Sequence, residues 1–117
     1  MPAPVKIAIT GLGFTHSMLP GYLKCPDTEV VLLHDIDAAR AKKISSECGG
    51  LPWTLNFEDV SRSAAQVVEV GTPNHLHAAP AVAAMEAGKH ALVEKPLAHS
   101  IAACRKMLEA ARRTGRQ

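Results

Sequence analysis

Aromatic side chains are scarce in this chain of 117 residues, where two Phe, one Tyr and one Trp make up only 3%. A core built without them must rely on Val, Ile, Leu and Ala, which suit helices packed against a parallel sheet. The hydrophobic fraction of 47% and the charged fraction of 21% are ordinary for a folded protein, which argues against intrinsic disorder. A chain of this length can bury one substantial core, so we expect a single domain.

Three further shortages exclude whole classes of function. The formal net charge is only +2, too small to favour nucleic acid or a membrane surface as a partner. No apolar run approaches the roughly 20 residues of a membrane-spanning helix, and residues 1–6 do not have the pattern of a signal peptide. Cys25, Cys48 and Cys104 have no metal-binding spacing, so we expect free thiols in the cytoplasm and no metal site.

The chain is organised around residues 5–17, with the sequence VKIAITGLGFTHS. The apolar residues of 5–9 predict a short buried strand, and the apolar spacing from Phe14 onward predicts a helix. Gly11 and Gly13 lie between them, where a tight turn needs positive φ and a ligand needs room to approach. Free N–H groups and the positive end of the helix dipole then point at one spot, which predicts an anion site.

A second predicted strand, residues 29–34, ends at Asp35, about where the dinucleotide-binding fingerprint has its ribose-binding acid. Asp37 has a different predicted role, as the N-cap of a helix over 38–47. His16 stands where the third glycine of the fingerprint G-x-G-x-x-G is expected. Two interpretations are open. His16 points into the phosphate site and re-poses the pyrophosphate, or it is a surface histidine on a helix that stands slightly away from the strand.

Further apolar segments alternate with helical ones along the chain. Strands are predicted at 51–55, 66–70 and 91–94, and helices at 58–64, at 79–87 and after Ser100. Such alternation is typical of right-handed β-α-β crossovers and a parallel sheet. Glu69 is the exception, because an ionised carboxylate in a buried strand must meet a cation or a hydroxyl, or its pKa must rise.

Two motifs carry a resemblance to a known family. TPNHLH at residues 72–77 and EAGKHALVEKPLA at 86–98, together with the GLG of 11–13 and with Asp35, resemble the glucose-fructose oxidoreductase / inositol dehydrogenase family (Gfo/Idh/MocA). The resemblance implies that residues 1–117 form an NAD(P)-binding Rossmann domain. Its fold would be a three-layer, doubly wound parallel sheet with the strand order 3-2-1-4-5. It also implies a substrate-binding α/β domain that is absent from these residues.

The resemblance assigns roles to individual residues. Lys95 is the expected catalytic residue, because a lysine beside the nicotinamide can hydrogen-bond the substrate oxygen or transfer its proton while the cofactor carries the hydride. The Lys95–Pro96 peptide bond is often cis in the family. The residues expected to contact the dinucleotide are Gly11, Leu12, Gly13, Phe14, Thr15, His16, Asp35, Thr72, Pro73, Asn74, His77, Glu94, Lys95 and Pro96.

The expected cofactor is NAD rather than NADP. Asp35 can accept hydrogen bonds from the ribose hydroxyls, and the same carboxylate would repel a 2′-phosphate. No arginine follows Asp35 immediately, since Ile36 is next and Arg40 lies in the following helix.

Two functions of different class fit these residues. One is the NAD(P)-binding part of an oxidoreductase that acts on a sugar, polyol or related small substrate once the second domain is present, and that forms homo-oligomers. The other is a free-standing dinucleotide-binding module without catalysis. We expect this chain alone to bind NAD weakly and to turn over no substrate.

Overall fold

The computed structural model describes residues 2–117, which contain one five-stranded parallel sheet with the order β3-β2-β1-β4-β5. This confirms the predicted α/β class and the predicted strand order. The strands are β1 (Val5–Thr10), β2 (Thr28–His34), β3 (Trp53–Thr54), β4 (Val67–Val70) and β5 (His90–Val93).

Helices connect the strands. They are α1 (Leu12–Thr15), α2 (Leu19–Lys24), α3 (Ala38–Glu47), α4 (Phe57–Arg62), α5 (Ala78–Glu86) and α6 (Ile101–Thr114). A 3₁₀ turn, His16–Met18, joins α1 to α2, and a second one, Asn74–Leu76, precedes α5. The Asp37 carboxylate accepts a hydrogen bond from the Arg40 N–H, which confirms Asp37 as the N-cap of α3.

The two faces of the sheet are covered by different helices, because successive side chains of a strand point to opposite faces. Ile7 and Ile9 of β1 pack with Leu33 in the cluster that α1, α2 and α3 cover. Ala8, between them, belongs to the opposite cluster, which Met85 of α5 and Met107 of α6 complete. The sheet is therefore the middle of three layers, and the sides covered by the crossovers change between β1 and β4.

The first helix differs from its prediction in two respects. It begins at Leu12 rather than Phe14, and it continues as a 3₁₀ turn before α2, which has a proline in its first turn. The expectation of positive φ was wrong for Gly13, which lies inside α1, because the turn needs only one left-handed residue. Gly11 supplies it, with φ of 83°.

β5 is at one edge of the sheet and pairs with β4. On its other side, the Ala91 N–H donates a hydrogen bond of 2.8 Å to the Gln117 carbonyl. One backbone donor of this edge strand is therefore already paired. Leu92 is half exposed. Within residues 2–117, the helices are all too short or too polar to cross a lipid bilayer.

Candidate functional site

A cleft of about 560 Å³ opens where the carboxyl ends of β1, β2, β4 and β5 meet. It lies at the point where the crossovers change sides, the usual ligand position in open parallel sheets. Its volume is within the range of about 300–1,000 Å³ that small-molecule and cofactor sites occupy. Most of the predicted site residues line this cleft: Gly11, Gly13, Phe14, Asp35, Thr72, Pro73, Asn74, His77, Glu94, Lys95 and Pro96.

Three predicted residues do not line the cleft. Leu12 is fully buried in the core, and its backbone N–H is already donated to Asp35. Thr15 is fully buried as well. His16 is exposed on the surface, with its Nδ1 3.1 Å from the carbonyl oxygen of Leu12 in the preceding turn. The structure therefore places His16 on the helix surface, outside the residues that line the cleft.

The close packing of helix on strand is made by Thr15 and Gly71 instead of a third glycine. A Cβ on Gly71 would lie 1.7 Å from Cγ2 of Thr15, so only glycine fits at the end of β4. The Thr15 hydroxyl also donates a hydrogen bond of 2.6 Å to the Gly11 carbonyl. Gly11 in turn approaches the loop after β4, since a Cβ there would lie 2.5 Å from the Thr72 nitrogen. These contacts fix the glycine turn against β4.

Gly13 is different, because its missing side chain faces the cleft. A Cβ on Gly13 would meet nothing closer than the guanidinium of Arg40 at 3.7 Å. The protein interior therefore does not require glycine at this position, whereas a ligand that approaches the first turn of α1 does. The N–H of Leu12 is donated to Asp35 and that of Gly11 to the His34 carbonyl, so the N–H groups of Gly13 and Phe14 are those of that turn available to an anion.

The carboxylate of Asp35 turns inward and is only 3% exposed. It accepts hydrogen bonds of 2.9 Å from the N–H of Leu12 and from the N–H of Asp37. Arg40 Nη1 lies 3.2 Å and 3.3 Å from its two oxygens. Burial alone would raise the pKa of Asp35, but these hydrogen bonds and the charge of Arg40 outweigh burial and lower the pKa. Asp35 is thus an ionised group that ties the glycine turn to α3.

Arg40 was missed as a site residue by sequence reasoning. It lies in the first turn of α3 and folds back over Asp35, so that its half-exposed guanidinium borders the cleft beside Gly13. The signal that could have found it is its position in the turn that directly follows the strand end. The other lining residues outside the predicted set are Thr10, His34, Ile36, Gly71 and Leu76.

His34 and Thr10 form the floor of the cleft. The Nδ1 of His34 lies 2.6 Å from the Thr10 hydroxyl, and the ring packs edge-on against Phe57 with 5.5 Å between ring centroids. Burial lowers the pKa of His34 although Asp35 opposes the shift. A neutral imidazole therefore lies beneath the carboxylate, and it adds no positive charge that could attract phosphate.

His77 is 1% exposed and joins two loops that form the far wall of the cleft. Its Nε2 lies 2.8 Å from the carbonyl oxygen of Thr72, in the loop after β4. Its Nδ1 lies 2.9 Å from the carbonyl oxygen of Pro96 and 3.3 Å from that of Leu97, in the loop after β5. The resemblance predicted that His77 lines the cofactor cleft, and the structure adds that its ring is committed to the backbone.

Lys95 is exposed at the mouth of the cleft, directly after β5, and Pro96 follows it through a cis peptide bond. Glu94 precedes it and is held by a hydrogen bond of 3.0 Å from its N–H to the Val70 carbonyl. Among residues 2–117, the ammonium of Lys95 on the β5 side makes no salt bridge, whereas Arg40 on the β2 side is paired with Asp35. A ligand that spans the cleft would pass from one to the other.

Glu69 lies outside the cleft, in the middle of β4, and is 1% exposed. Neither of its carboxylate oxygens has a hydrogen-bond partner within residues 2–117. Burial raises the pKa of Glu69 although the nearby Tyr22 hydroxyl partly opposes the shift, and a raised pKa is one of the two outcomes that the sequence left open. Burial and the neighbouring Glu69 also raise the pKa of Tyr22. No group of three metal-ligating side chains occurs in the described part of the chain.

A parallel sheet with a glycine turn at its switch point and a cleft above it defines the class of Rossmann dinucleotide-binding domains. The sequence model of the oxidoreductase family GFO_IDH_MocA, NAD-binding Rossmann fold, matches residues 5–117. The chain therefore belongs to the Gfo/Idh/MocA family, which confirms the resemblance.

Individual relatives agree with this assignment. An uncharacterized oxidoreductase of Streptococcus pneumoniae is 37% identical over 107 residues, which is 91% of this chain and 29% of that protein. The 1,5-anhydro-D-fructose reductase of Ensifer adhaerens is 38% identical over 96 residues, 81% of this chain and 29% of that protein. The chain thus spans less than a third of the length of these relatives.

Solved structures with the same fold have been obtained with both cofactors. The WlbA dehydrogenase of Chromobacterium violaceum, in complex with NADH and UDP-GlcNAcA, superposes with a TM-score of 0.91 at 25% identity, over 99% of this chain and 34% of that one. The 3-ketoreductase KijD10 of Actinomadura kijaniata, in complex with TDP-benzene and NADP, gives a TM-score of 0.86 at 27% identity, over 97% and 35%. The fold is therefore an NAD(P)-binding one.

Proposed function

We propose that this chain binds NAD in the cleft and supplies the cofactor-binding part of an oxidoreductase that acts on a sugar, a polyol or a related small substrate. The observation that carries the proposal is the environment of Gly13. Its Cα faces the cleft at the first turn of α1, where added bulk would touch only Arg40. A pyrophosphate at this turn would accept hydrogen bonds from the N–H groups of Gly13 and Phe14.

Gly13→Ala tests the phosphate position with little cost to the fold. The new methyl group has ordinary van der Waals contact with Arg40 at 3.7 Å but would meet a pyrophosphate that approaches the helix. We expect the affinity for NADH to fall by about tenfold or more. Gly21→Ala is the matched control, because nothing lies within 4 Å of a Cβ there. Equal affinity of the Gly13→Ala variant and the wild type would contradict the proposed phosphate position.

The preference for NAD over NADP is part of the proposal and is supported by the charge around Asp35. Asp35 and Asp37 contribute two negative charges at the end of β2, and Arg40, which contacts both, contributes one positive charge. The net negative charge disfavours a 2′-phosphate. Arg40 reduces this effect, so we expect measurable binding of NADP with a lower affinity than that of NAD.

The chemistry proposed for Lys95 follows from its exposed position at the strand end. The nicotinamide cofactor would carry the hydride. The protein must orient the cofactor and donate or accept one proton at the substrate oxygen. Lys95 is the cationic donor on the β5 side of the cleft, and Glu94 and Pro96 beside it shape the same wall. In a protein that also contains the proposed substrate-binding domain, Lys95→Ala should lower kcat strongly while NADH affinity changes little.

The substrate, the second domain and the assembly are proposals of the same kind. Relatives named for action on an anhydrosugar and on inositol support a sugar or polyol substrate. The residues that choose it would come from a substrate-binding domain, which would also support a homo-oligomer. We place the protein in the cytoplasm, in keeping with free thiols at Cys25, Cys48 and Cys104.

A dinucleotide-binding module without catalysis is the alternative. It is supported by the cleft itself, which residues at the carboxyl ends of β1, β2, β4 and β5 line. Both functions require NAD binding, so turnover distinguishes them. Oxidation of inositol or reduction of an anhydrosugar by the protein, lost in Lys95→Ala, would support the oxidoreductase.

A further inference from the structure

We propose that His77 carries a hydrogen on both ring nitrogens and acts as a positioning residue, holding the loop of Lys95 against the loop of Thr72. This inference deepens the proposed function, because it assigns to a residue of the same cleft the task of orienting the lysine.

The two ring hydrogens of His77 are inferred from the hydrogen-bond partners of its nitrogens. Nε2 lies 2.8 Å from the Thr72 carbonyl oxygen, and Nδ1 lies 2.9 Å from that of Pro96. A carbonyl oxygen can only accept, so each nitrogen must donate to make its hydrogen bond. A neutral imidazole has one N–H and one lone pair, and its lone pair would then face an oxygen lone pair at hydrogen-bond distance. The imidazolium form has two N–H groups and satisfies both partners.

Three carbonyl oxygens compensate the buried charge. Besides Thr72 and Pro96, the carbonyl of Leu97 lies 3.3 Å from Nδ1. Hydrogen bonds from a charged donor are shorter and stronger than neutral ones, and a cation enclosed by carbonyl dipoles is solvated by the protein instead of by water. The titratable side chains on the segments packed against the ring are His75, Glu94, Lys95 and His99.

The hydrogen bonds of His77 join two walls of the cleft. Thr72 belongs to the loop after β4 that lines one wall of the cleft, and Pro96 follows Lys95 in the loop after β5. Within the part of the chain that the structure describes, no other hydrogen bond joins residues 95–97 to the loop after β4. The two bonds of His77 therefore set the separation of these walls and the place from which Lys95 reaches the nicotinamide position. A preorganised wall raises ligand affinity because less ordering is needed on binding.

Nitrogen-15 NMR of the wild-type chain tests the protonation without any variant. We expect two ring N–H signals from His77 at neutral pH, both slow to exchange with solvent, and equal ring nitrogen shifts typical of imidazolium. One protonated and one unprotonated nitrogen would overturn the inference. The exposed ring of His75 is the internal control and should show fast exchange.

His77→Phe then tests the positioning role, because it keeps a ring in place and removes both donors. The affinity for NADH should fall by about tenfold, and the amide signals of Lys95, Leu97 and Thr72 should shift together. His77→Gln keeps an N–H donor and should recover part of the affinity. His75→Phe, in the same loop but exposed, should change neither. Unchanged affinity in His77→Phe would contradict the positioning role.

The outcome separates this inference from the proposed function. If the wild type binds no dinucleotide but shows both ring N–H signals, the proposed function is wrong and the protonation stands. If it binds NADH but shows a single ring N–H, the function stands and the inference on His77 is wrong.

Discussion

Arg40 folds back from the first turn of α3 so that its Nη1 lies 3.2 Å from Oδ1 of Asp35. The carboxylate expected to hold the ribose is therefore already bonded to a guanidinium and to two backbone N–H groups. A ribose hydroxyl must displace or share these contacts. Under the proposed function, cofactor choice would therefore depend on the Asp35–Arg40 pair and not on Asp35 alone.

The first prediction concerns cofactor preference. Asp35→Ser removes the charge that repels a 2′-phosphate and releases Arg40 toward the cleft. We expect the ratio of NAD affinity to NADP affinity to fall by about tenfold, because one charged hydrogen-bond acceptor for the ribose is lost. Calorimetric titration with both cofactors measures it. Asp27→Ser, an exposed carboxylate at the opposite end of β2, is the control. An unchanged ratio in Asp35→Ser would refute the assignment.

The second prediction uses the lowered pKa of Asp35. Because its folded-state pKa lies below the ordinary value of 3.8, the stabilisation is complete above that value and is lost as the pH falls through the folded-state pKa. Asp35→Asn should lower the free energy of unfolding at neutral pH by about 1.5–3 kcal/mol, the size of a charged hydrogen bond. Urea denaturation should show this difference shrinking in acid. A constant difference at all pH values would contradict the ionised, tied carboxylate.

The third prediction concerns Glu69, whose pKa is raised where that of Asp35 is lowered. Its folded-state pKa lies above 4.5, so the protein is most stable where Glu69 is protonated in both states and loses stability as the pH rises. Glu69→Gln removes this titration and should raise the free energy of unfolding at neutral pH by about 1–3 kcal/mol. The gain should vanish below pH 4.5. Glu29→Gln, at an exposed position of β2, should have no such effect. A loss of stability in Glu69→Gln at neutral pH would show that the carboxylate has a partner.

The fourth prediction tests the contact that replaces the third glycine of the fingerprint. Gly71→Ala places a methyl group against Cγ2 of Thr15 and should cost about 1–3 kcal/mol, as overpacking does. Thr15→Ser removes Cγ2, so the double variant should recover part of this loss. A double-mutant cycle from denaturation curves gives the coupling. Additive effects would mean that Thr15 and Gly71 do not pack as described.

Much of the fold follows from sequence pattern. The alternation of buried strands and amphipathic helices predicted the class of the sheet, and the resemblance gave its order. Asp37 was predicted as an N-cap because a carboxylate directly before a helical run can accept a hydrogen bond from an N–H group of the first turn. The small errors lie at Leu12 and Gly13, where the helix starts directly after one left-handed residue.

The site was predicted as a set of residues but not as a set of contacts. Positions that follow strand ends, such as Asn74 and Lys95, line the cleft because parallel strands present their carboxyl ends together. The direction of a side chain is decided by its neighbours, which a single sequence does not reveal. Asp35 therefore turned out to face Arg40, and His77 to bind two loops.

The most direct test is an NMR titration of this chain with NAD, NADH and NADP, which follows the backbone amides. We expect NAD and NADH to shift the amides of residues 11–14, of Asp35 and of the loops after β4 and β5, while those of α6 stay in place. If all three dinucleotides leave the amides around Gly13 and Asp35 unchanged at high concentration, the cleft is not a cofactor site and the proposed function is wrong.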